Sequence, residues 1–314
     1  MALVGAGDAP TEAYLNNLAR ILSVKPEASG WVCCRCGHRN DPVDNLLFKL
    51  PPLNCSNTTV CDGKCPVTPE WSISDCIINE VRTNFLIRDQ GPYPTCAAHA
   101  LLSGMDASLR IHGAIHGRIV SQPLNIVNLF EKYRLKHRVS LGCEGDDDEG
   151  KKSRTPRLLQ IAQLEGVEYI APTKSVETRR VLRLKSWFYK NTNGDINFLV
   201  RLIASGFPLL ASMRTGRCFV MANNGELYMA PELTVNHAIL LIGCTVKPLW
   251  LPPAGADRTN EPVEKVFFKA RDSKGDRVHV SGGNVGTGGD IYLLPEDLGS
   301  HVFGFHLELP TWMR

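Results

Sequence analysis

The chain of 314 residues has almost no net charge: 35 Lys and Arg face 32 Asp and Glu, leaving +3 at neutral pH. So small and evenly spread a balance gives no electrostatic reason to expect nucleic acid or an anionic membrane surface as the main partner. No stretch is apolar for the roughly eighteen residues that a spanning helix needs. The opening segment, MALVGAGDAPTEAYLNNLARILSVKPEASG, lacks the basic patch and apolar run of a secretory leader. Internal repeats are also missing. These absences set the expectation of a soluble intracellular protein, cytoplasmic or nuclear, with no nucleic-acid and no membrane partner.

What is present is a chain with enough apolar residues for a sizeable core, 43% hydrophobic against 21% charged. Six of its eleven cysteines, at positions 33, 34, 36, 55, 61 and 65, crowd into a Pro- and Asn-rich stretch within the first 70 residues. That shift marks residues 1–70 as a module apart from residues 71–314. In a reducing compartment, clustered cysteines point to metal binding or catalysis before disulfides. Cys33-x2-Cys36 has the spacing by which two thiolates share a tetrahedral zinc. A structural zinc held by Cys33, Cys36, Cys61 and Cys65 is expected, with Cys34 or His38 as substitutes and with disulfides or plain thiols as the alternatives. Trp31 and Asn40 make the first half resemble a RanBP2-type zinc finger, but the second half does not follow that spacing. Such a module would dock a protein partner.

Upstream of the cysteines, TEAYLNNLARILSVK is a helical pattern, and beyond residue 70 three more follow: CAAHALLSGMDASLRIHG, LNIVNLFEKYRLK and TPRLLQIAQLEG. Later segments, PLLASMR, HAILLIGCTV, KVFFKARD and DIYLLP, are short, apolar and β-branched or aromatic, and read as strands. Helices first and strands later predict an α+β fold of two unlike lobes, helical over about 86–200 and β-rich over about 201–314. EGDDDEGKKSR (144–154) reads as a solvated loop, and RRVLRLKSWFYK (179–190) as an amphipathic segment in preference to a polyanion site.

The chemistry question centres on RDQGPYPTCAAHA (88–100). Cys96 is either a small buried hydrophobe or a nucleophile. Its predicted place at a helix N-terminus favours a thiolate, and a neighbouring imidazolium would lower the thiol pKa further. Gln90, six residues earlier across a Gly/Pro turn, could turn its amide toward an oxyanion beside the Cys96 N–H. TVNHAILLIGC places His237 at the head of an apolar strand, where it could serve as the base.

These residues resemble the papain-like cysteine peptidases. Gln90, Gly91 and Cys96 keep the register of that family's nucleophile motif, and Val235, His237, Ala238 and Gly243 keep that of its histidine motif. SQPLN, LGCEG and GELYMAP resemble the stretches between, so the likeness spans about 85–295 in consistent order. The resemblance implies a papain-like two-lobed fold, helical and β-barrel-like, with a cleft between. In that cleft Cys96 attacks a peptide carbonyl, His237 moves the proton, Asp272 orients His237 and Gln90 supports the oxyanion. It also implies Gly145, Ala211, Ser212, Asn236 and Ala238 as substrate-binding positions, a peptide or protein substrate, and no cofactor for catalysis.

The departures are specific. KARDSKGD puts Asp272 where the family has Asn and Lys274 where it has a shielding Trp, so the imidazole contact is expected to be wetter and its orientation looser. Ala97 and His99 replace the usual Trp and Phe. Tyr93 stands where the family has the disulfide partner of Cys143. Two readings follow: a working cysteine-type peptidase, or a catalytically impaired papain-like protein that acts as a binding or regulatory module.

Overall fold

A computed structural model describes residues 6–11, 15, 31–32, 36–40, 57, 61, 70–74, 76–120, 123–138, 154–171, 178–192, 196–215, 227–228, 235–249, 263–280 and 288–310. Helix α1 (Cys96–Ile115) forms because Ala, Leu and Met, strong helix formers, dominate its length. Ala98, Leu101, Leu102, Met105 and Leu109 are fully enclosed, so it is a central helix, not a surface one. At Gly104 a Cβ would come within 3.0 Å of Leu240 and 3.1 Å of Phe305, so the missing side chain lets the helix lie directly on the sheet. Helix α2 (Ile126–His137) starts where the Asn125 side chain accepts the N–H groups of Val127 and Asn128. Helices α3 (Arg154–Leu164) and α4 (Ile196–Ala204) follow.

The strands are β1 (Trp31–Val32), β2 (Arg39–Asn40), β3 (Glu70–Ser72), β4 (Ile77–Ile78), β5 (Val81–Arg82), β6 (Val167–Ala171), β7 (Thr178–Asn191), β8 (Leu209–Arg214), β9 (Leu227–Tyr228), β10 (Val235–Leu249), β11 (Val263–Arg271), β12 (Asp290–Leu293) and β13 (Leu298–Glu308). β1 pairs with β2, and β4 with β5. The main sheet has nine strands in the order β6-β7-β13-β8-β10-β11-β12-β9, with β3 added on β10. β10 lies under α1, and its Ile239, Leu240, Leu241 and Ile242 are fully buried, which explains an unbroken apolar run where a half-exposed strand would alternate.

The mixed helix-and-sheet fold is as expected, but two details differ. The sheet is a path whose ends are β6 and β9, with no pairing between those ends among the described residues, so the expected barrel-like closure is not formed. β6 and β7, which precede residue 201, belong to the same sheet as the later strands. The basic and aromatic run 179–190 is therefore a strand. Leu182 and Leu184 face the core while Val181, Arg183 and Lys185 are exposed, so period-two alternation puts Arg183 and Lys185 on the solvent face. Of the helix expected over 11–25 only Thr11 and Leu15 are described, and the loop 144–154 is outside the described residues except for Arg154. Among the described residues no helix is long and apolar enough to cross a membrane.

One buried ion pair fixes the end of β11. Arg271 faces Asp290 across β11 and β12, giving Nε to Oδ1 at 2.8 Å and Nη2 to Oδ2 at 3.0 Å. Its Nη1 donates to the Phe85 carbonyl at 2.9 Å, and the guanidinium lies 4.3 Å over the Phe85 ring. The carboxylate takes both prongs of the fork, while the ring and carbonyl bring in the segment that leads to Gln90. Removing one member leaves the other charge buried alone, so Asp290→Ala is expected to cost about 3–5 kcal/mol, measured by urea unfolding against the parent protein.

Candidate active site

Cys96 is the first residue of α1. The preceding Thr95 makes no side-chain cap bond, so the helix start is not closed by a hydroxyl. Sγ instead accepts from the backbone N–H groups of Ala97 and Ala238 and pairs with His237. The residue is partly exposed.

His237 arrives through an irregularity in β10. The register with β8 pairs Val235 with Arg214 and then His237 with Met213, so Asn236 is an extra residue, and a bulge of this kind re-aims the next side chain. The bulge is held by the Asn236 amide: Oδ1 accepts from the Thr215 N–H at 3.0 Å and hydroxyl at 2.6 Å, and Nδ2 donates to the Thr215 carbonyl at 3.3 Å. His237 Nε2 lies 2.6 Å from Asp272 Oδ1. An ionised carboxylate only accepts, so Nε2 carries the proton, and the ring meets Cys96 through Nδ1.

Asp272 follows the last residue of β11 and is 1% exposed. Its Oδ1 also accepts the Ser273 N–H at 2.7 Å, and its Oδ2 accepts from His279 Nε2 at 3.1 Å. The expectation of a wet, loose contact at this position is not met: the carboxylate is enclosed and bonded on both oxygens. Lys274, in the place of the shielding Trp, contributes through its backbone, which bridges Asp89. That bridge, with the Gln90 N–H donating to the Ser273 carbonyl at 2.7 Å and the Gly275 N–H donating to the Arg88 carbonyl at 3.0 Å, lays the Gln90 segment along the 272–275 turn. Gln90 Oε1 accepts from the Ser273 hydroxyl at 2.5 Å, and its Nε2 donates to the Tyr93 carbonyl at 2.7 Å. Nε2 has two protons, and the second can point to an oxyanion.

The electrostatics follow from these bonds. Burial alone would raise the Cys96 thiol, but the hydrogen bond and charge of His237 and the two backbone N–H groups outweigh it, and the thiol lies below its ordinary value. Burial would likewise lower His237, yet Asp272 and Cys96 bring it up to about 9. Asp272, although buried, is held well below the usual carboxylate range by His237 and His279. The arrangement favours a thiolate and an imidazolium side by side at neutral pH.

Cys96, His237, Asp272 and Gln90 are thus brought together from four separate segments. Ser212 and Ala238, paired across β8 and β10, are partly exposed nearby, whereas Ala211 is 3% exposed in the core opposite Ile239 and does not open to a ligand. Asn236 spends its amide on Thr215. Gly145, Cys33 and Cys65 are outside the described residues. Cys36 is exposed, Cys61 is partly buried, and among the described residues no group of His, Cys, Asp and Glu is placed to hold a metal ion. Sequence reasoning missed Ser273 and His279. Ser273 was available as the neighbour of Asp272, but a lone histidine in a turn-rich stretch gives no pattern. Beside Gln90 runs a groove of about 730 Å³ walled by Tyr93, His99, Ile126, Val127, Phe130 and Arg134. Burial, and then Arg88, push His99 down to about 4, so this histidine is neutral at physiological pH.

No family model matches the chain, and no curated protein does. Solved structures are similar to it. Xylellain, a cysteine protease from Xylella fastidiosa, has 12% identity and a TM-score of 0.49, with 98% of this chain and 92% of that one covered. ProCathepsin B S9 from Trypanosoma congolense has 12% identity and a TM-score of 0.49, with 96% and 99% covered. SERA5E from Plasmodium falciparum has 13% identity and a TM-score of 0.46, with 73% and 92% covered. At such identities and scores the chemistry is read from the site itself.

Alkylation by iodoacetamide reports the thiolate directly. In the parent protein the rate at pH 6 should stay within a few-fold of that at pH 8. In His237→Ala it should fall on the order of a hundredfold at pH 6, because an ordinary thiol of pKa about 8.5 is there less than about 1% ionised. Equal rates in the two proteins would mark Cys96 as an ordinary thiol.

Proposed function

We propose that the protein is a cysteine-type peptidase of papain-like design. The observation that carries this reading is the chain of contacts from Cys96 at a helix start, through His237, to an enclosed Asp272. In the proposed reaction the Cys96 thiolate attacks the peptide carbonyl carbon, and the oxygen takes up negative charge facing Gln90 Nε2 and the Cys96 N–H, a first-turn donor without an intrahelical acceptor. The C–N bond breaks as the His237 imidazolium gives its proton to the leaving amine, and a thioester remains on Cys96. Water then attacks the thioester, His237 takes its proton, and C–S cleavage releases the acid and restores the thiolate. Asp272 takes no proton: it keeps the ring turned with Nδ1 toward sulfur and favours its charged form. Ser212 and Ala238 are the proposed walls for substrate.

The groove beside Gln90 shares that residue with the proposed site and is lined also by Thr95, the neighbour of Cys96. Its apolar wall suits a large apolar side chain of the bound peptide. Val127→Glu is therefore expected to raise KM about tenfold for such a substrate, with kcat and the iodoacetamide rate little changed, in steady-state assays on fluorogenic peptides. A structural zinc in the N-terminal cysteine-rich segment, and a protein partner docked there, remain part of the proposal, separate from catalysis.

The alternative, a binding module, rests on Asp272, Lys274 and Ala97 in place of the family's residues, and the enclosure of Asp272 supports the active reading. Peptide cleavage should disappear in Cys96→Ala. In Asp272→Asn, cleavage should persist while its alkaline limb moves below the parent's, since an amide still accepts the Nε2 proton but no longer stabilises the imidazolium up to about 9. Absence of cleavage across a diverse peptide library, in a preparation whose Cys96 still alkylates fast at pH 6, would favour the binding module.

A further inference from the structure

The geometry points to His279 as a positioning residue for the Cys96–His237 pair, acting through Asp272; this rests on the peptidase reading and extends it to a residue outside the Cys, His, Asp and Gln set. Asp272 has two oxygens in an enclosed space, and each is met by one imidazole Nε2: His237 on Oδ1 at 2.6 Å and His279 on Oδ2 at 3.1 Å. The side chains of Asp272 and His279 are both 0% exposed. Water therefore cannot replace His279, and without it Oδ2 is a buried acceptor lacking that donor. A carboxylate bonded only through Oδ1 can rotate about its terminal torsion, which for Asp is broad and roughly two-fold. Bonded on both oxygens it holds one plane, and that plane fixes where His237 points.

The backbone around His279 is arranged to hold it there. Its φ is +59°, in the left-handed region, where non-glycine residues are uncommon although His is among the enriched ones. The loop is pinned to the strand that follows: the Gly288 N–H donates to the Asp276 carbonyl at 3.1 Å and the Gly289 N–H to the Val278 carbonyl at 2.7 Å, while the Asp272 N–H donates to the Gly289 carbonyl at 2.7 Å. At Gly288 a Cβ would stand 2.2 Å from the Val278 carbonyl oxygen, so only glycine permits this closure. A costly backbone conformation kept in place by such pinning is the pattern found where a side chain has a task.

Three variants separate positioning from packing: His279→Leu, which removes the donor; His279→Asn, which suits the left-handed backbone but is too short to reach Oδ2; and His279→Gln, whose Nε2 matches the lost imidazole Nε2. Each is followed by alkylation with iodoacetate from pH 5 to 10, beside thermal unfolding. The negative charge of the reagent makes its rate depend on the imidazolium as well as the thiolate, so the alkaline limb reports His237. Expected are an alkaline limb lowered by about one pH unit and a rate at pH 6 about tenfold lower in the Leu and Asn variants, the scale of one hydrogen bond to a charged group. The Gln variant should return to within about twofold of the parent. Should Leu fail to fold, Asn and Gln carry the comparison. A folded Asn variant with the parent's profile, or Asn and Gln shifted alike, overturns the positioning role. A parent profile unchanged by His237→Ala would instead remove the peptidase reading beneath it.

Discussion

A negative charge shut away from water governs this molecule. Asp272 is enclosed, and a buried carboxylate stays ionised only if donors or positive charge surround it. Here three donors meet it: the His237 ring, whose positive charge the Cys96 thiolate in turn supports, the His279 ring and the Ser273 N–H. Each of these lies on a different stretch of chain. Satisfying one carboxylate therefore ties the head of β10, the end of β11, the loop after it and the start of α1 into a single arrangement. Next to it, the Arg271–Asp290 fork holds the strand end from which Asp272 projects and fastens the segment carrying Gln90 to the same place.

The sequence made the reactive pair legible because each member sits inside a local pattern. Cys96 opens a run of helix formers, and His237 heads an apolar strand, so the two could be named from short stretches alone. Asp272 was named only through the resemblance to the papain-like peptidases, which puts it where that family has Asn. What escaped were features that live between segments. The bulge at Asn236 depends on register with β8, and the Ser273–Gln90 bond joins residues 183 positions apart. His279 is placed by a loop closure through Gly288 and Gly289, which no periodicity announces.

The sheet shows the same division. Strands 209–214, 235–249, 263–271 and 290–293 were read from their apolar or β-branched content. β7 was not, because its exposed side carries Arg183 and Lys185 and its pattern changes phase at Lys185, the extra residue where the pairing with β13 steps from Ser186–His306 to Leu184–Leu307. Nor did composition reveal that β7 and β13 extend the sheet beyond β8, which leaves it open where a barrel was expected. Lys274 misled in a further way: its side-chain type suggested solvent, whereas its contribution is a main-chain bridge to Asp89, and side-chain chemistry does not report main-chain pairing.

The Ser273 hydroxyl donates to Gln90 Oε1 from the turn that also carries Asp272. It grips Gln90 while the Ser273 N–H grips Asp272, so in the proposed peptidase the donor for the oxyanion and the acceptor that steadies the base are held by one residue. Any displacement of that turn would disable both functions simultaneously. Half-working intermediates are thereby made scarce: natural drift or deliberate redesign would meet a sharp threshold here, with neighbouring positions having to change in concert.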